Sequence, residues 1–546
     1  MPNLQEGNTY PALVGGCTGD GLGVARIAGE VVFVKDALRG EEGDIYIEHV
    51  GHNAAWGRLT DRRVTNPARL APDCPFYAGC GGCCFRHMTY PEELEVKRLR
   101  VEDALRRIGG ADIAVSVIHG AENTERYRNK VQFPVAGGAI GYYQARSHQV
   151  VDIGDCLLQP ERAAVCRQAV KGWMEEFSVP PYEEKSHTGL VRHLCLRFNR
   201  AGETLCCLVV NGKSIPHADR LAQKLRRACP GLAGLVLSEN TGRTNVVLGK
   251  SFRVLWGRDW LEETLCGLTF RLSVPSFFQI NRDQTEVLYT RALELAGLSG
   301  DETVLDLYCG IGTVSLCMAK RVKRVIGAEI VPQAVEDARE NARRNGLKNA
   351  EFFCGDAGAV AKRLAEEGVR PDVVCVDPPR KGLAPEVPGI LAGMGPEKIV
   401  YISCDPATLA RDVGRFRPLG YEVQTAEAVD LFPRTGHVET VVQLSKGEID
   451  SRKVRVEFSL EDMDTSGFQK GATYGQIKAY VLEKFGLKVS SLYISQVKRK
   501  CGLEVGDSYN QPKSEGVKVP TCPPEKEKAI MAALEHFQMI EGSGRK

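Results

Sequence analysis

Val304-Leu305-Asp306-Leu307-Tyr308-Cys309-Gly310-Ile311-Gly312-Thr313 joins an apolar strand to a glycine-bearing turn, and helical spacing follows from about Val314. Glycine lets a backbone come close to a ligand, and a helix start leaves N–H groups free. Three further apolar runs of strand length follow, separated by helical patterns. They are Arg324-Val325-Ile326-Gly327, Val373-Val374-Cys375-Val376 and Lys398-Ile399-Val400-Tyr401-Ile402. This alternation predicts an α/β fold, a parallel sheet with helices on both faces. In such sheets ligands meet the protein outside the carboxyl ends of the strands.

The residues at those strand ends carry chemistry. Glu329 follows the second run, at the spacing used to bind ribose hydroxyls. The incomplete G-x-G-x-x-G argues against a dinucleotide, whereas S-adenosyl-L-methionine has no phosphate to cradle and needs fewer glycines. Gly355-Asp356-Ala357 fits either an adenine contact or an ordinary helix N-cap. Asp377-Pro378-Pro379-Arg380-Lys381-Gly382 holds a carboxylate beside two cations on a stiffened loop, although a plain turn has the same composition. Ser403-Cys404-Asp405-Pro406 puts a thiol directly after a strand, where a nucleophile is useful; a core cysteine is the other reading.

At 546 residues the chain is too long for one core, and three or four domains are expected. No run of about 18 apolar residues exists, and Met1 to Glu6 lacks the basic and apolar regions of a secretion signal. The 19 cysteines, an odd number, are scattered through apolar segments as well as clustered, which argues for reduced thiols and a cytoplasmic protein. The formal charge of +2 neither requires nor excludes a nucleic-acid partner.

Short β-like runs among glycines predict a small β-barrel over 1–65, including Glu30-Val31-Val32-Phe33-Val34 and Asp44-Ile45-Tyr46-Ile47. A central α+β region follows over 66–270, with a helix from 92 to about 110, then the α/β domain over 271–446. Near the start of the central region, Cys74, Cys80 and Cys83 stand at C-x5-C-x2-C spacing. Cys156 is a better fourth ligand than Cys84, because adjacent residues in extended chain point opposite ways. Four thiolates fit zinc or an iron–sulfur cluster, and the spacing does not choose. Residues 450–546 have the character of an appended module. In it a helix over 473–486 ends in glycine, and Ser490-Ser491 caps a second helix closing on Lys498-Arg499-Lys500. That pair suits a helix-turn-helix-like nucleic-acid module, or a helical appendage whose cations complement the helix dipole.

Together these segments resemble the RNA uracil-5-methyltransferase family, S-adenosylmethionine-dependent enzymes that modify uridine in ribosomal and transfer RNA. The resemblance spans roughly 8–446. It includes the cysteine motif, Tyr127-Arg128-Asn129-Lys130, Ser276-Phe277-Phe278-Gln279-Ile280-Asn281, Asp306-Leu307-Tyr308-Cys309-Gly310, the Asp377 and Cys404 motifs, and His437-Val438-Glu439-Thr440. It implies a Rossmann-like class I methyltransferase domain, a TRAM-like barrel at the start and a [4Fe–4S] cluster on Cys74, Cys80, Cys83 and Cys156. It further implies cofactor binding by Gln279, Tyr308, Gly310, Glu329 and Asp377, with Cys404 as nucleophile and Glu439 as base. The expected substrate is RNA, 23S ribosomal rather than transfer, methylated by a monomer. Two features depart from the family: Arg86 stands where Gln more often precedes His87, and typical members lack the segment beyond about 450.

Competing expectations are an amino-methylating enzyme, which would not need Cys404, and a non-catalytic RNA-binding protein, which would not need Glu439. Arg380 and Lys381 are expected to hold Cys404 ionised, since nearby cations lower a thiol pKa. Phe277 and Phe278 offer stacking surfaces for a flipped base, or core packing.

Overall fold

The computed structural model describes residues 4–446, 474–501, 522–537 and 539. Residues up to 449 form one compact unit and 450–546 a second. Among the described residues no helix is long and apolar enough to cross a membrane.

The first unit begins with a closed barrel of five strands, Thr9–Cys17, Gly23–Ile27, Glu30–Lys35, Glu42–Val50 and Ala55–Val64. Alternate residues point inward, so Val14, Val32, Val34, Ile45 and Ile47 fill its core. A seven-stranded sheet follows, covered by helices Glu161–Glu176 and Ala218–Ala228 around the buried Trp173.

After a two-stranded sheet, Trp260–Leu265 with Leu268–Ser273, comes one of eight strands. Their spatial order is Ala350–Cys354, Arg324–Glu329, Thr303–Leu307, Val373–Val376, Lys398–Ser403, Glu439–Lys446, Tyr421–Val429 and Val117–His119. The first five run parallel, and Glu439–Lys446 inserts antiparallel to Lys398–Ser403. Val373–Val376 is wholly buried because helices pack on both faces of the sheet. Strand order reverses between Thr303–Leu307 and Val373–Val376, which opens a crevice at their carboxyl ends.

Strand Val117–His119 belongs to this eight-stranded sheet and helix Tyr90–Arg107 packs beside it, although the sequence places both in the central region. The strand pairs with Glu427, Ala428 and Val429, and the helix packs against helix Pro406–Phe416. Periodicity identifies a helix without naming its partner, which is why the boundary at 270 misses this return of the chain.

In the second unit, helix Tyr474–Phe485 ends at Gly486 (φ +66°), and Ser490 caps helix Ser491–Lys500 by accepting from Tyr493 N. Helix Pro524–His536 packs against both, around Ile477, Val481, Ile494, Val497, Ile530 and Leu534. The expected module over 450–546 lies partly outside the described residues, notably 450–473 and 502–521.

Candidate active site

Cys404 sits in a turn pinned from both sides. Asp405 N donates to Ser403 Oγ at 3.1 Å, while Asp405 caps the next helix, accepting from Ala407 N at 2.9 Å and Thr408 N at 3.0 Å. Ser403 pairs with Thr440 in the antiparallel ladder, so Cys404 and Glu439 are the next residues on their two strands. The Glu439 charge raises the thiol pKa.

Burial is the larger influence on both. It lifts the Cys404 thiol to about 11, with Glu439 adding to the rise and Arg380 opposing it. The expected lowering by two cations is therefore not realised. Arg380 pulls in the expected direction but is outweighed, and Lys381 is not among the groups acting on the thiol. Glu439 is 2% exposed, and its Oε2 has no hydrogen-bond partner among the described residues. Burial, then the charge on Asp377, lifts its carboxyl to about 8, against the pull of Arg380.

Asp377 follows strand Val373–Val376, and burial followed by the Asp306 charge raises it to about 7. Asp306, buried in its strand, accepts from Ser315 Oγ at 2.5 Å and is also raised to about 7, by burial above all and slightly by Glu329. Influence thus passes from Glu329 to Asp306, from Asp306 to Asp377 and from Asp377 to Glu439 along one edge of the sheet, with strand Lys398–Ser403 lying between the strands of the last two. An acid inside the apolar run Val304-Leu305-Asp306-Leu307 is the sequence signal for Asp306.

At the glycine turn, Gly310 N donates to Glu329 Oε2 at 3.2 Å, and Val331 N donates to Glu329 Oε1 at 2.8 Å. Tyr308 takes a φ of +69°, an uncommon conformation for an aromatic residue, and its N–H donates to Ala328 O at 2.9 Å. Gly312 has φ +82°, and a Cβ there would lie 3.1 Å from Phe352 and 3.2 Å from Ala338. Gln279 comes from a separate segment leading into helix Arg282–Ala296, where Asn129 Nδ2 donates to its backbone oxygen at 2.8 Å. In that segment Phe278 is core, at 3% exposed, whereas Phe277 is 66% exposed. Asp356 serves as the helix N-cap, accepting from Ala359 N at 3.2 Å.

Cys74, Cys80, Cys83 and Cys156 all line one cavity of about 270 Å³, which also borders Arg86, Arg128 and His437. Cys84 does not line this cavity and packs beside Phe85 and Met88. Burial raises Cys80 and Cys83; Arg128 opposes this at both thiols and Arg86 at Cys83. Arg86 is itself buried, with Asp73 Oδ1 at 2.6 Å and Glu125 Oε1 at 3.2 Å. Among the described residues, no three histidine, cysteine or carboxylate side chains converge on a single ion.

The family model described as tRNA (Uracil-5-)-methyltransferase matches residues 243–447. An uncharacterised RNA methyltransferase of Clostridium tetani is 42% identical over 447 residues, covering 81% of this chain and 97% of that protein. Another from Clostridium acetobutylicum is 40% identical over 451 residues, covering 81% and 98%. Among solved structures, the Pyrococcus abyssi tRNA (uracil-54, C5)-methyltransferase in complex with S-adenosyl-L-homocysteine aligns with a TM-score of 0.64 at 26% identity, covering 80% of this chain and 100% of that one. With relatives matched over nearly their whole length and a shared class I fold, this chain is an RNA methyltransferase and belongs to the RNA uracil-5-methyltransferase family.

Proposed function

We propose that the enzyme methylates carbon 5 of a uridine in 23S ribosomal RNA, through a bond from Cys404 to carbon 6 and proton removal by Glu439. The observation that carries this reading is the pair itself. A thiol and a buried carboxyl, whose Oε2 has no hydrogen-bond partner among the described residues, lie one position beyond the last ladder pair of two adjacent strands, and the carboxylate acts on the thiol.

Carbon 5 of uracil is a weak nucleophile. Addition of the Cys404 thiolate forms the S–C6 bond and moves the C5=C6 electron pair into an enolate, which makes carbon 5 electron-rich. S-adenosylmethionine, when bound, supplies the electrophilic methyl group. Carbon 5 then carries both a methyl and a hydrogen. The Glu439 carboxylate takes that hydrogen as a proton, the C5=C6 bond re-forms, and the sulfur leaves as thiolate. With Cys404 near 11 and Glu439 near 8, both are largely protonated in the resting site at neutral pH. Arg380 is the cation acting to favour the ionised form of each.

Cofactor binding is assigned to residues of the glycine turn and the strand ends, together with Gln279. Gly310 and the start of helix Thr313–Ala319 leave backbone room, Glu329 is assigned to the ribose hydroxyls, and Gln279, Tyr308 and Asp377 complete the set. A uridine attacked at carbon 6 must be unstacked, so the substrate is a flipped or single-stranded base, with exposed Phe277 as its stacking surface.

Cys74, Cys80, Cys83 and Cys156 are assigned to a [4Fe–4S] cluster. All four thiols line one cavity of about 270 Å³, which leaves room for such a cluster. Methyl transfer moves no net electrons, so the role given to the cluster is structural. The three-helix C-terminal module, with Arg499 exposed on its second helix, is assigned to nucleic-acid contact.

The barrel and cysteine centre favour ribosomal RNA through family resemblance. A second reading, transfer RNA, is favoured by the substrate in the name of the Pyrococcus abyssi relative. Labelled cofactor offered with 23S fragments and tRNA transcripts, followed by mass mapping of the methylated base, decides between them. Methylated uridine in a 23S fragment, lost in Cys404→Ala, is the expected result; product confined to tRNA would overturn the substrate assignment.

A further inference from the structure

Glu439 opens its strand, so the placement of its carboxyl depends on the residues just before it. That connection, 430–438, joins strand Tyr421–Val429 to Glu439–Lys446 and is tied along its length. Its main anchor is a buried charge group on a helix 333 positions earlier in sequence. Lys97, 1% exposed on helix Tyr90–Arg107, donates from Nζ to Glu93 Oε1 at 2.7 Å, Asp430 Oδ1 at 2.7 Å and Phe432 O at 3.2 Å. An ammonium has three donors, and all three are used. Asp430 Oδ2 accepts from Tyr90 OH at 2.9 Å, and Oδ1 also accepts from Phe432 N at 3.1 Å. Glu93 Oε1 accepts from Arg434 N at 2.7 Å.

The ties continue toward Glu439. Tyr127 OH donates to Pro433 O at 3.0 Å, and Arg100 donates to Gly436 O at 2.5 Å. Arg434 O accepts from Cys84 N at 3.0 Å and Phe85 N at 3.2 Å, so the cysteine segment also grips this connection. Gly436 lies against Gly19 O of the barrel with no room for a side chain. His437 borders the cysteine cavity on one side and meets Arg380 at 3.3 Å on the other.

Buried ion groups are weak sources of stability, since apolar residues of similar volume serve as well. What this one does is specify position, because its acceptors on the connection hold the run of backbone that ends at Glu439. We propose that Lys97 is a positioning residue for the reaction, acting through Asp430, Phe432 and Glu93 to place the Glu439 carboxyl. The inference rests on the role of base given above to Glu439.

The test uses the full-length protein, ordinary uridine-containing RNA and labelled cofactor, with Lys97→Met, Lys97→Arg, Tyr127→Phe and, as control, Glu439→Gln. Turnover is read beside the amount of methylated RNA–protein adduct that survives denaturant. A displaced base still allows the adduct to form and be methylated but slows its release. A shift of about 1 Å is expected to lower kcat about 10²-fold. KM for RNA and cofactor should stay within about twofold, with adduct accumulating as in the control. Native kcat, or a loss of turnover in which adduct formation falls in parallel, would overturn the proposal. If Lys97→Met does not fold, Lys97→Arg and Tyr127→Phe decide by the same readout, and absence of adduct in both overturns it. Failure of Glu439→Gln to accumulate adduct would instead sink the base assignment, so the two failures are distinguishable.

Discussion

Replacing Glu439 with glutamine removes the proposed proton acceptor and an electrostatic cost at once. A carboxyl raised from 4.5 to about 8 costs about 5 kcal/mol more to ionise in the folded protein than in the unfolded chain. The sign follows from proton binding. Between these two values the folded state keeps its proton while the unfolded state has released it, so stability falls as pH rises and levels off above about 8. In Glu439→Gln that slope is missing. Between pH 6 and pH 9 the two proteins should diverge by about 3 kcal/mol, read as the difference in denaturant midpoints across a pH series. Methyl transfer by the native enzyme should rise with pH through about 8 as the carboxylate forms, and continue upward toward the thiol's value near 11. The glutamine variant should release product about 10²- to 10⁴-fold more slowly. Parallel stability curves for the two proteins would mean that Glu439 is ionised throughout, and the reasoning from burial would be refuted.

Three further outcomes are expected. Cys80→Ser or Cys83→Ser should lose bound iron and sulfide by chemical assay and unfold at lower denaturant; zinc at one per chain in the native protein would contradict the cluster. Gly312→Ala introduces a side chain at φ +82° against Phe352 and Ala338. It should destabilise by about 1–3 kcal/mol and weaken S-adenosylmethionine binding by calorimetry. Ending the chain at residue 449 should weaken RNA binding and make the plot of log affinity against log salt shallower by about one to two; an unchanged slope would show that the module does not contact RNA.

The methyltransferase sheet was legible because its central strands are covered on both faces and therefore read as continuous apolar runs, as at Val373–Val376. Strand Val117–His119 gave no such signal. It is three residues long, with Val117 37% exposed, and is a strand only because Glu427 to Val429 lie beside it. The turn around Cys404 was readable from Ser403, Asp405 and Pro406, but the thiol's raised pKa was not. It depends on burial and on Glu439, which arrives from another strand. The preference for Cys156 over Cys84 came from the residues themselves, and Cys156 lines the cavity with Cys74, Cys80 and Cys83 while Cys84 packs beside Phe85 and Met88. Lys97 looked like one more charge on an amphipathic helix. Its partners Asp430 and Phe432 become neighbours only when that helix packs on the last strands of the sheet. Phe277 and Phe278 shared one expectation and separated, because a single step along the backbone turns one side chain to solvent and the other to the core.

The proposed covalent bond between Cys404 and the pyrimidine is tested most directly with RNA carrying 5-fluorouridine at the target position. Fluorine at carbon 5 cannot leave as a proton, so the methylated adduct has no route to release. Incubation with S-adenosylmethionine, denaturation, digestion and peptide mass mapping should locate the nucleotide on the peptide containing Cys404, and Cys404→Ala should yield none. A methylated product formed by Cys404→Ala at the native rate, or a nucleotide found on any other residue, would contradict the account.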